Sequence, residues 1–182
     1  MAEITSPSEY FEHVVPQQFA AALADAPEGI ADQPELIAVY EITGEGGGTY
    51  HLRSMGTQLD IAPGDAEGAD MYTSVTIDDW RKSVATGLID PFVDYVSRRK
   101  VGVVKSLKGT VRLELMHSDG SMWESATVFG GQTEPTVTLH MDGDDYTAMM
   151  RGELNGQMAF MTGKLKFDGS LPLLMQVGAL SA

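Results

Sequence analysis

The sequence predicts a mixed fold of strands and helices with a partial internal duplication, because the same order of elements occurs twice. In each half, strands rich in β-branched and aromatic residues precede an acidic helix start, a glycine break and a second helix. The segments "VTIDDWRKSVATGL" and "LHMDGDDYTAMMRGEL" share an apolar strand end, an acidic cap, an aromatic residue and a glycine near the stop. Such similarity decides what one structural unit is.

We interpret residues 8–108 as the first half and residues 109–182 as a shorter second half that lacks a first helix and one strand. Residues 1–7 are expected to form a flexible N-terminus. An isolated half would leave strand edges open, so we expect the two halves to share one sheet or to pack into one compact body.

The composition is that of a globular protein. Of 182 residues, 43% are hydrophobic and 21% are charged, which is enough apolar material for a folded core. Lys and Arg number 12 against 26 Asp and Glu, and the resulting charge of −14 argues against nucleic acid and anionic membrane surfaces as partners. The absence of cysteine excludes disulfides and thiolate chemistry.

The chain start carries no secretory signal pattern, and no apolar run approaches the roughly 18 residues of a membrane span. We therefore expect a cytoplasmic protein without stable membrane insertion. The sequence gives no oligomeric state.

In the first half, residues 8–26 have helical apolar spacing, with Pro16 as a break and Ser6 or Ser8 as the cap. Residues 34–43 and 49–55 flank a glycine-rich turn and predict a hairpin. Two further strands follow, the first in 57–70, which ends in a loop, and the second over 71–77.

A helix capped by Asp78 or Asp79 is predicted to end at Gly87, and a second helix begins with Pro91. Its last turn is expected to carry the basic residues 98–100, where positive charge suits the helix dipole. Residues 103–116 are predicted to be extended.

In the second half, residues 110–116 and 122–131 predict a hairpin, and residues 135–141 predict another strand. Residues 142–161 predict a capped helix, a break and a second helix. A basic strand follows over 163–167, before an apolar tail.

No motif for catalysis, a metal or a cofactor is present, so the sequence predicts a protein that is not an enzyme. Asp142, Asp144 and Glu153 have the spacing of a calcium loop, but Thr147 replaces its essential glycine, and a helix cap is the better interpretation. The four histidines are scattered without ligand spacing.

The segment Met149 to Leu180, "MMRGELNGQMAFMTGKLKFDGSLPLLMQVGAL", resembles the sterol carrier protein type 2 family. The matching features are a helix ending near Gly152 and Leu154, the Ala159-Phe160 pair, and the strand and turn over 163–169. The first half resembles a diverged copy of the same family, in which "VKSLKG" corresponds to the basic strand.

The resemblance implies an α+β fold, in which a mostly antiparallel sheet of about five strands carries helices on one face. It also implies a hydrophobic tunnel for a fatty acyl chain, a sterol-like lipid or an isoprenoid lipid. Methionine suits the walls of such a tunnel because its side chain adapts to varied ligands. The residues predicted to line it are Phe92, Tyr95, Met149, Met150, Met158, Phe160, Met161, Leu173, Leu174 and Met175.

Apolar spacing alone favours an ordinary packed core for these residues, and only the family resemblance brings the tunnel to near equality with it. For Phe92 and Tyr95 the packed core remains the favoured interpretation. The predicted function is therefore non-catalytic binding or transfer of a hydrophobic small molecule or lipid. The alternative is an interaction or scaffold module that assists a protein client, such as an enzyme of lipid or quinone metabolism.

Overall fold

The computed structural model describes residues 6–181, and it joins the strands of both halves in one eight-stranded sheet. The strand order is β3-β2-β1-β4-β6-β5-β7-β8. The strands are β1 Leu36–Thr43, β2 Gly48–Met55, β3 Gln58–Pro63, β4 Met71–Thr76, β5 Gly109–Met116, β6 Met122–Phe129, β7 Thr136–Asp142 and β8 Lys166–Gly169. The sheet has three strands more than the family resemblance implied, because both halves contribute to it.

The helices connect these strands. They are α1 Pro7–Glu9, α2 Val15–Ala24, α3 Ile77–Ala85, α4 Pro91–Ser97, α5 Val101–Ser106, α6 Gly143–Met150, α7 Gly156–Met161 and α8 Leu171–Ser181. A π-helical turn, Tyr10–Val14, joins α1 to α2, and a 3₁₀ turn spans Ile30–Asp32.

The strand pairing repeats between the halves. The β1 strand pairs antiparallel with β2 and parallel with β4, and β5 likewise pairs antiparallel with β6 and parallel with β7. The other pairs in the sheet are antiparallel, so the sheet is mostly antiparallel. The precise bounds of the two halves remain a prediction.

The second half has no counterpart of β3, and the first half supplies a substitute. The β3 strand covers the outer edge of β2, whereas β4 of the first half covers the equivalent edge of β6 through an antiparallel pairing from Met71↔Phe129 to Val75↔Ser125. An open edge would be a site for aggregation. The shortened second half is therefore closed by the first.

The core lies between the helices and one face of the sheet. Along β1, Leu36, Ala38, Tyr40 and Ile42 alternate toward this core, as a period of two requires. The other face carries polar and charged side chains, among them Arg112, Glu114, His140, Lys166 and Asp168. The helices thus pack on one face, as predicted.

The predicted extended segment 103–116 is wrong in its first part, because Val101–Ser106 forms α5. Val101 and Val104 are both fully buried, and residues three apart share one helix face. Extended structure begins only at Gly109. The "VKSLKG" segment is therefore not a strand equivalent to the basic strand of the second half.

The helix starts are close to those predicted. The α3 cap is Thr76, whose hydroxyl accepts from the backbone N–H of Asp79, so the predicted Asp78 or Asp79 lies one turn too late. Asp142 caps α6 by accepting from the backbone N–H of Asp144, as a helix cap and not as a calcium loop. Helix α4 ends at Ser97, so residues 98–100 follow it instead of forming its last turn.

At the N-terminus, Ser6 caps α1 by accepting from the backbone N–H of Glu9 at 3.2 Å. Pro7 is buried in that helix, so Ser6 and Pro7 are part of the fold, and the rest of the predicted flexible segment lies outside the described residues. Pro16 does not separate two helices but lies in the first turn of α2. Because proline has no N–H to donate to residue 12, the chain before it widens into the π-helical turn.

The apolar C-terminal tail is helix α8, and the packing of this helix depends on Gly109. That glycine has a φ of 125°, and a Cβ there would collide with the carbonyl oxygen of Pro135 and lie 3.0 Å from the Leu173 side chain. Leu173 and Leu180, seven residues apart on α8, are both buried in the main core. The tail therefore hides its apolar side by packing on the sheet.

Buried Asp90 connects four elements through its carboxyl group and its backbone N–H. It accepts hydrogen bonds from Tyr40 Oη of β1 at 2.8 Å, Tyr10 Oη of the π-helical turn at 3.1 Å and the Phe92 backbone N–H at 3.0 Å, which caps α4. The Asp90 backbone N–H donates to Gln18 Oε1 of α2 at 2.9 Å. Asp90 is 4% exposed, so these contacts replace its hydration.

Replacing Asp90 by alanine is expected to lower the free energy of unfolding by about 3 kcal/mol or more, because two tyrosine hydroxyls and one helix cap lose their acceptor. Urea unfolding measures the change. Asp94→Ala on the same helix is the matched control, with an expected loss of about 1 kcal/mol or less, since Asp94 pairs with a half-exposed Arg98. Equal losses for the two variants would contradict the role of Asp90.

Burial raises the pKa of Asp90, although hydrogen bonds from Tyr40, Phe92 and Tyr10 oppose this. The folded state therefore holds this proton more tightly than the unfolded chain, and stability from this site is present at low pH and is lost as pH rises through the raised pKa. Relative to Asp90→Asn, the unfolding free energy of the natural protein is expected to fall as pH rises from about 4. If the unfolding free energy of the natural protein relative to Asp90→Asn instead rose with pH, the prediction would be contradicted.

Candidate functional site

A cavity of about 440 Å³, here called the main cavity, lies between the sheet and helices α4, α6 and α8. This volume is within the range of about 300–1,000 Å³ that is usual for small-molecule sites. Its apolar walls come from the sheet at Val111, Leu113, Leu115, Phe129, Leu139 and Met141, and from the covering segments at Tyr95, Tyr146, Met149, Met150, Leu165, Val177 and Leu180.

The walls are apolar because of strand alternation. Val111, Leu113 and Leu115 are two residues apart on β5, so all three side chains lie on the helix side of the sheet. Leu139 and Met141 do the same on β7, its parallel neighbour.

A second space of about 160 Å³, the inner cavity, adjoins the main cavity beneath α3 and α4. Its lining includes Trp80, Trp123 and the Asp90 cluster. Six residues contribute to the walls of both cavities: Tyr95, Leu113, Thr127, Phe129, Tyr146 and Met150.

Charged side chains line one part of the main cavity, here called the mouth. Asp94 and Arg98 lie one turn apart around α4 and form an ion pair of 3.4 Å, and Arg151 follows α6 and donates to the Thr86 carbonyl oxygen at 3.2 Å. Burial raises the pKa of Asp94, opposed by Arg98 and Lys100. An apolar space with two guanidinium groups at its mouth suits an amphipathic ligand with a polar or anionic end.

The tyrosines shared by the two cavities have unusual hydroxyls. Neither Tyr95 nor Tyr146 makes a side-chain hydrogen bond with any residue in 6–181. Burial, with a smaller contribution from Tyr146, raises the pKa of the Tyr95 hydroxyl well above its usual value, and burial raises the pKa of Tyr146 to about 12. Both residues are half-buried, and their hydroxyls line the cavities without a protein partner.

The structure brings together three of the residues predicted to line a tunnel, namely Tyr95, Met149 and Met150. Phe92 and Leu173 are instead fully buried core residues, and Leu174 packs half-buried against the same core. These three positions are occupied by the protein's own packing.

Four further predicted residues lie on the surface and line neither cavity. Met158, Phe160 and Met161 of α7 are 52%, 47% and 72% exposed, and Met175 of α8 is 71% exposed. Ala159 is the fully buried residue of α7, so its neighbours face away from the sheet. Helix α8 is held by Leu173, Val177 and Leu180, a spacing that directs Met175 outward.

Sequence reasoning missed most of the wall, because it searched helices and the tail instead of strands. The signal was present in "VRLEL" and "TLHM", whose alternating apolar residues face the helices. Thr127, Val177 and Leu180 carried no comparable signal.

Among residues 6–181, no group of three or more histidine and acidic side chains is arranged to hold a metal ion. Over the same residues, no helix has the length and apolar character needed to cross a membrane.

Similar proteins were found by sequence and by structure. Peroxisomal multifunctional enzyme A of Dictyostelium discoideum is 40% identical over 68 residues, which are 37% of this chain and 14% of that protein. Hydroxysteroid dehydrogenase-like protein 2 of Homo sapiens is 35% identical over 86 residues, which are 43% of this chain and 21% of that protein. The chain thus spans about a fifth or less of these relatives.

Among solved structures, sterol carrier protein 2 of Yarrowia lipolytica in its apo form has 24% identity and a TM-score of 0.35, with 54% of this chain and 87% of that chain covered. Domain 2 of the sterol carrier protein of Helicoverpa armigera has 22% identity and a TM-score of 0.37, with 43% and 70% covered. TM-scores this low do not establish a common arrangement of the whole chain.

The sequence match to a family model covers helices α5 to α8 and the last four strands, and it includes the segment Met149 to Leu180 that carries the predicted resemblance. Residues 96–181 of the chain match the model of the SCP-2 sterol transfer family.

Proposed function

We propose that this protein binds a hydrophobic ligand in the main cavity and carries it without chemical conversion. The ligand class is a fatty acyl chain, a sterol-like lipid or an isoprenoid lipid. The observation that carries the proposal is an apolar cavity of about 440 Å³ whose mouth holds two arginines, within a segment that matches the model of the SCP-2 sterol transfer family.

The walls support binding more than catalysis. A carrier needs apolar surface, a few polar groups at the mouth and a cover, whereas an enzyme needs a nucleophile, a general base or an oxyanion site in mutual reach. Asp94 places a carboxyl group at the mouth, but this group is engaged in an ion pair with Arg98. The matches to multifunctional and dehydrogenase-like proteins cover only a small part of each, so they support a module that operates beside an enzyme.

Native mass spectrometry of the purified protein, followed by organic extraction, is the direct test. We expect an adduct of one lipid per chain, or its appearance after incubation with stearate. A protein that neither retains a lipid nor takes up stearate would contradict the proposal.

Filling the main cavity is expected to remove binding. In Met150→Trp, the larger side chain occupies space shared by the two cavities, and we expect at least about a tenfold loss of stearate affinity, with a stability cost of about 1–3 kcal/mol. The matched control is Met175→Trp, which places the same side chain on the exposed side of α8 and should leave affinity unchanged. Equal losses in both variants would place the lipid on the surface.

The arginines are expected to select an anionic end. The double variant Arg98→Gln, Arg151→Gln should weaken stearate binding about fivefold to twentyfold, because it loses charge-assisted hydrogen bonds, but should leave octadecanol binding within about twofold. Displacement of a fluorescent fatty acid measures both affinities. Equal loss for acid and alcohol would show that the arginines hold the fold instead of the ligand.

The exposed apolar side chains of α7 and α8 favour a second candidate, contact with a protein client. Met158, Phe160, Met161, Leu171 and Met175 are all about half exposed or more. Serine substitutions at Met161 and Met175 distinguish the two functions, since they should weaken a protein contact and leave stearate affinity unchanged.

A further inference from the structure

The wall between the main and inner cavities holds two tyrosines from two different helices. Tyr95 lies on α4 and Tyr146 on α6, and both residues line both cavities. The Tyr146 phenol contributes to the raised pKa of the Tyr95 hydroxyl.

Other polar groups around the cavities are satisfied by the protein. The hydroxyls of Tyr10 and Tyr40 donate to Asp90, and the hydroxyls of Thr73 and Thr127 share a hydrogen bond of 2.9 Å. By contrast, neither Tyr95 nor Tyr146 has such a partner within residues 6–181.

A third donor lies beside them. Trp123 lines the inner cavity at 8% exposure, its Nε1–H has no partner in the described part of the chain, and its ring packs edge-on against Tyr146 with centroids 5.8 Å apart. Buried donors without partners are rare and unfavourable. The hydroxyls of Tyr95 and Tyr146 are not among the buried atoms without a partner, so they reach the cavity space. A plain hydrocarbon chain would cover them without a hydrogen bond, and phenylalanine would serve it better at both positions.

The tyrosines lie deeper than the arginines of the mouth. Arg98 follows Tyr95 by three residues, and Arg151 follows Tyr146 by five. At the helical rise of about 1.5 Å per residue, each pair is separated along its helix by on the order of 5 to 8 Å.

We infer that the preferred ligand is an oxygenated lipid, with a carboxylate at Arg98 and Arg151 and a second oxygen, a hydroxyl or keto group within its chain, at Tyr95 and Tyr146. This inference rests on the proposed function, because it specifies the ligand of the same cavity. The inner oxygen accepts from a tyrosine hydroxyl, and a hydroxyl can also donate to the other tyrosine. A site built to bond such an oxygen discriminates against the analogue that lacks it.

The test compares stearate with hydroxystearates that carry the hydroxyl at different chain positions, using displacement of a fluorescent fatty acid. The full chain is expected to bind at least one internal isomer about fivefold or more tighter than stearate. In the double variant Tyr95→Phe, Tyr146→Phe, the ratio of hydroxystearate affinity to stearate affinity should fall to about one. Tyr72→Phe is the matched control, since Tyr72 lies on the opposite face of the sheet from Met71 and lines neither cavity.

The outcomes separate this inference from the proposed function. If stearate and all isomers bind with equal affinity, the oxygenated ligand is excluded but lipid binding stands. If no fatty acid binds, the proposed function fails, and this inference fails with it. Because the two hydroxyls have no protein partner, the double phenylalanine variant should keep its unfolding midpoint, and a large loss of stability would show a structural role instead.

Discussion

The carboxyl group of Asp90 holds the helical layer in register with the sheet. It contacts the π-helical turn through Tyr10, the sheet through Tyr40 and the start of α4 through the Phe92 N–H. These partners come from residues 50 to 80 positions away in the chain, apart from the local cap. A buried polar cluster of this kind specifies one arrangement, because any displacement leaves several groups unsatisfied at once.

The cavities follow from this constraint and from the repeated topology. Asp90 fixes the start of α4, so Tyr95 and Arg98 are carried over the sheet at defined positions. The second half places α6 in the same relation to β7 as α3 has to β4, with an aromatic residue at the fourth position of each helix, Trp80 or Tyr146. Trp80 is 4% exposed and lines only the inner cavity, whereas Tyr146 is half-buried and lines both cavities.

Much of the fold could be predicted from local signals. Strand alternation identified the hairpins, and capping residues such as Asp142 identified helix starts, since both depend on neighbours in the chain. The sequence of α5 predicted a strand because valines favour strands. Only the burial of Val101 and Val104 selects a helix there.

The cavity residues were harder to predict. Met149 lines the cavity and Met175 is exposed, and this difference depends on how each helix packs against the sheet. Asp90 was missed for the same reason, since its tyrosine partners are distant in sequence. The family resemblance located the segment but not the wall residues on β5 and β7.

The methionines give the most direct measurement of the central claim, that the main cavity holds the lipid. With methyl-labelled methionine, a stearate titration followed by NMR reports on cavity residues Met141, Met149 and Met150 and on surface residues Met158, Met161 and Met175 in one experiment. The account predicts shifts of the cavity methyl signals and unchanged surface signals. Shifts confined to the surface methionines, or no shifts at all, would contradict it.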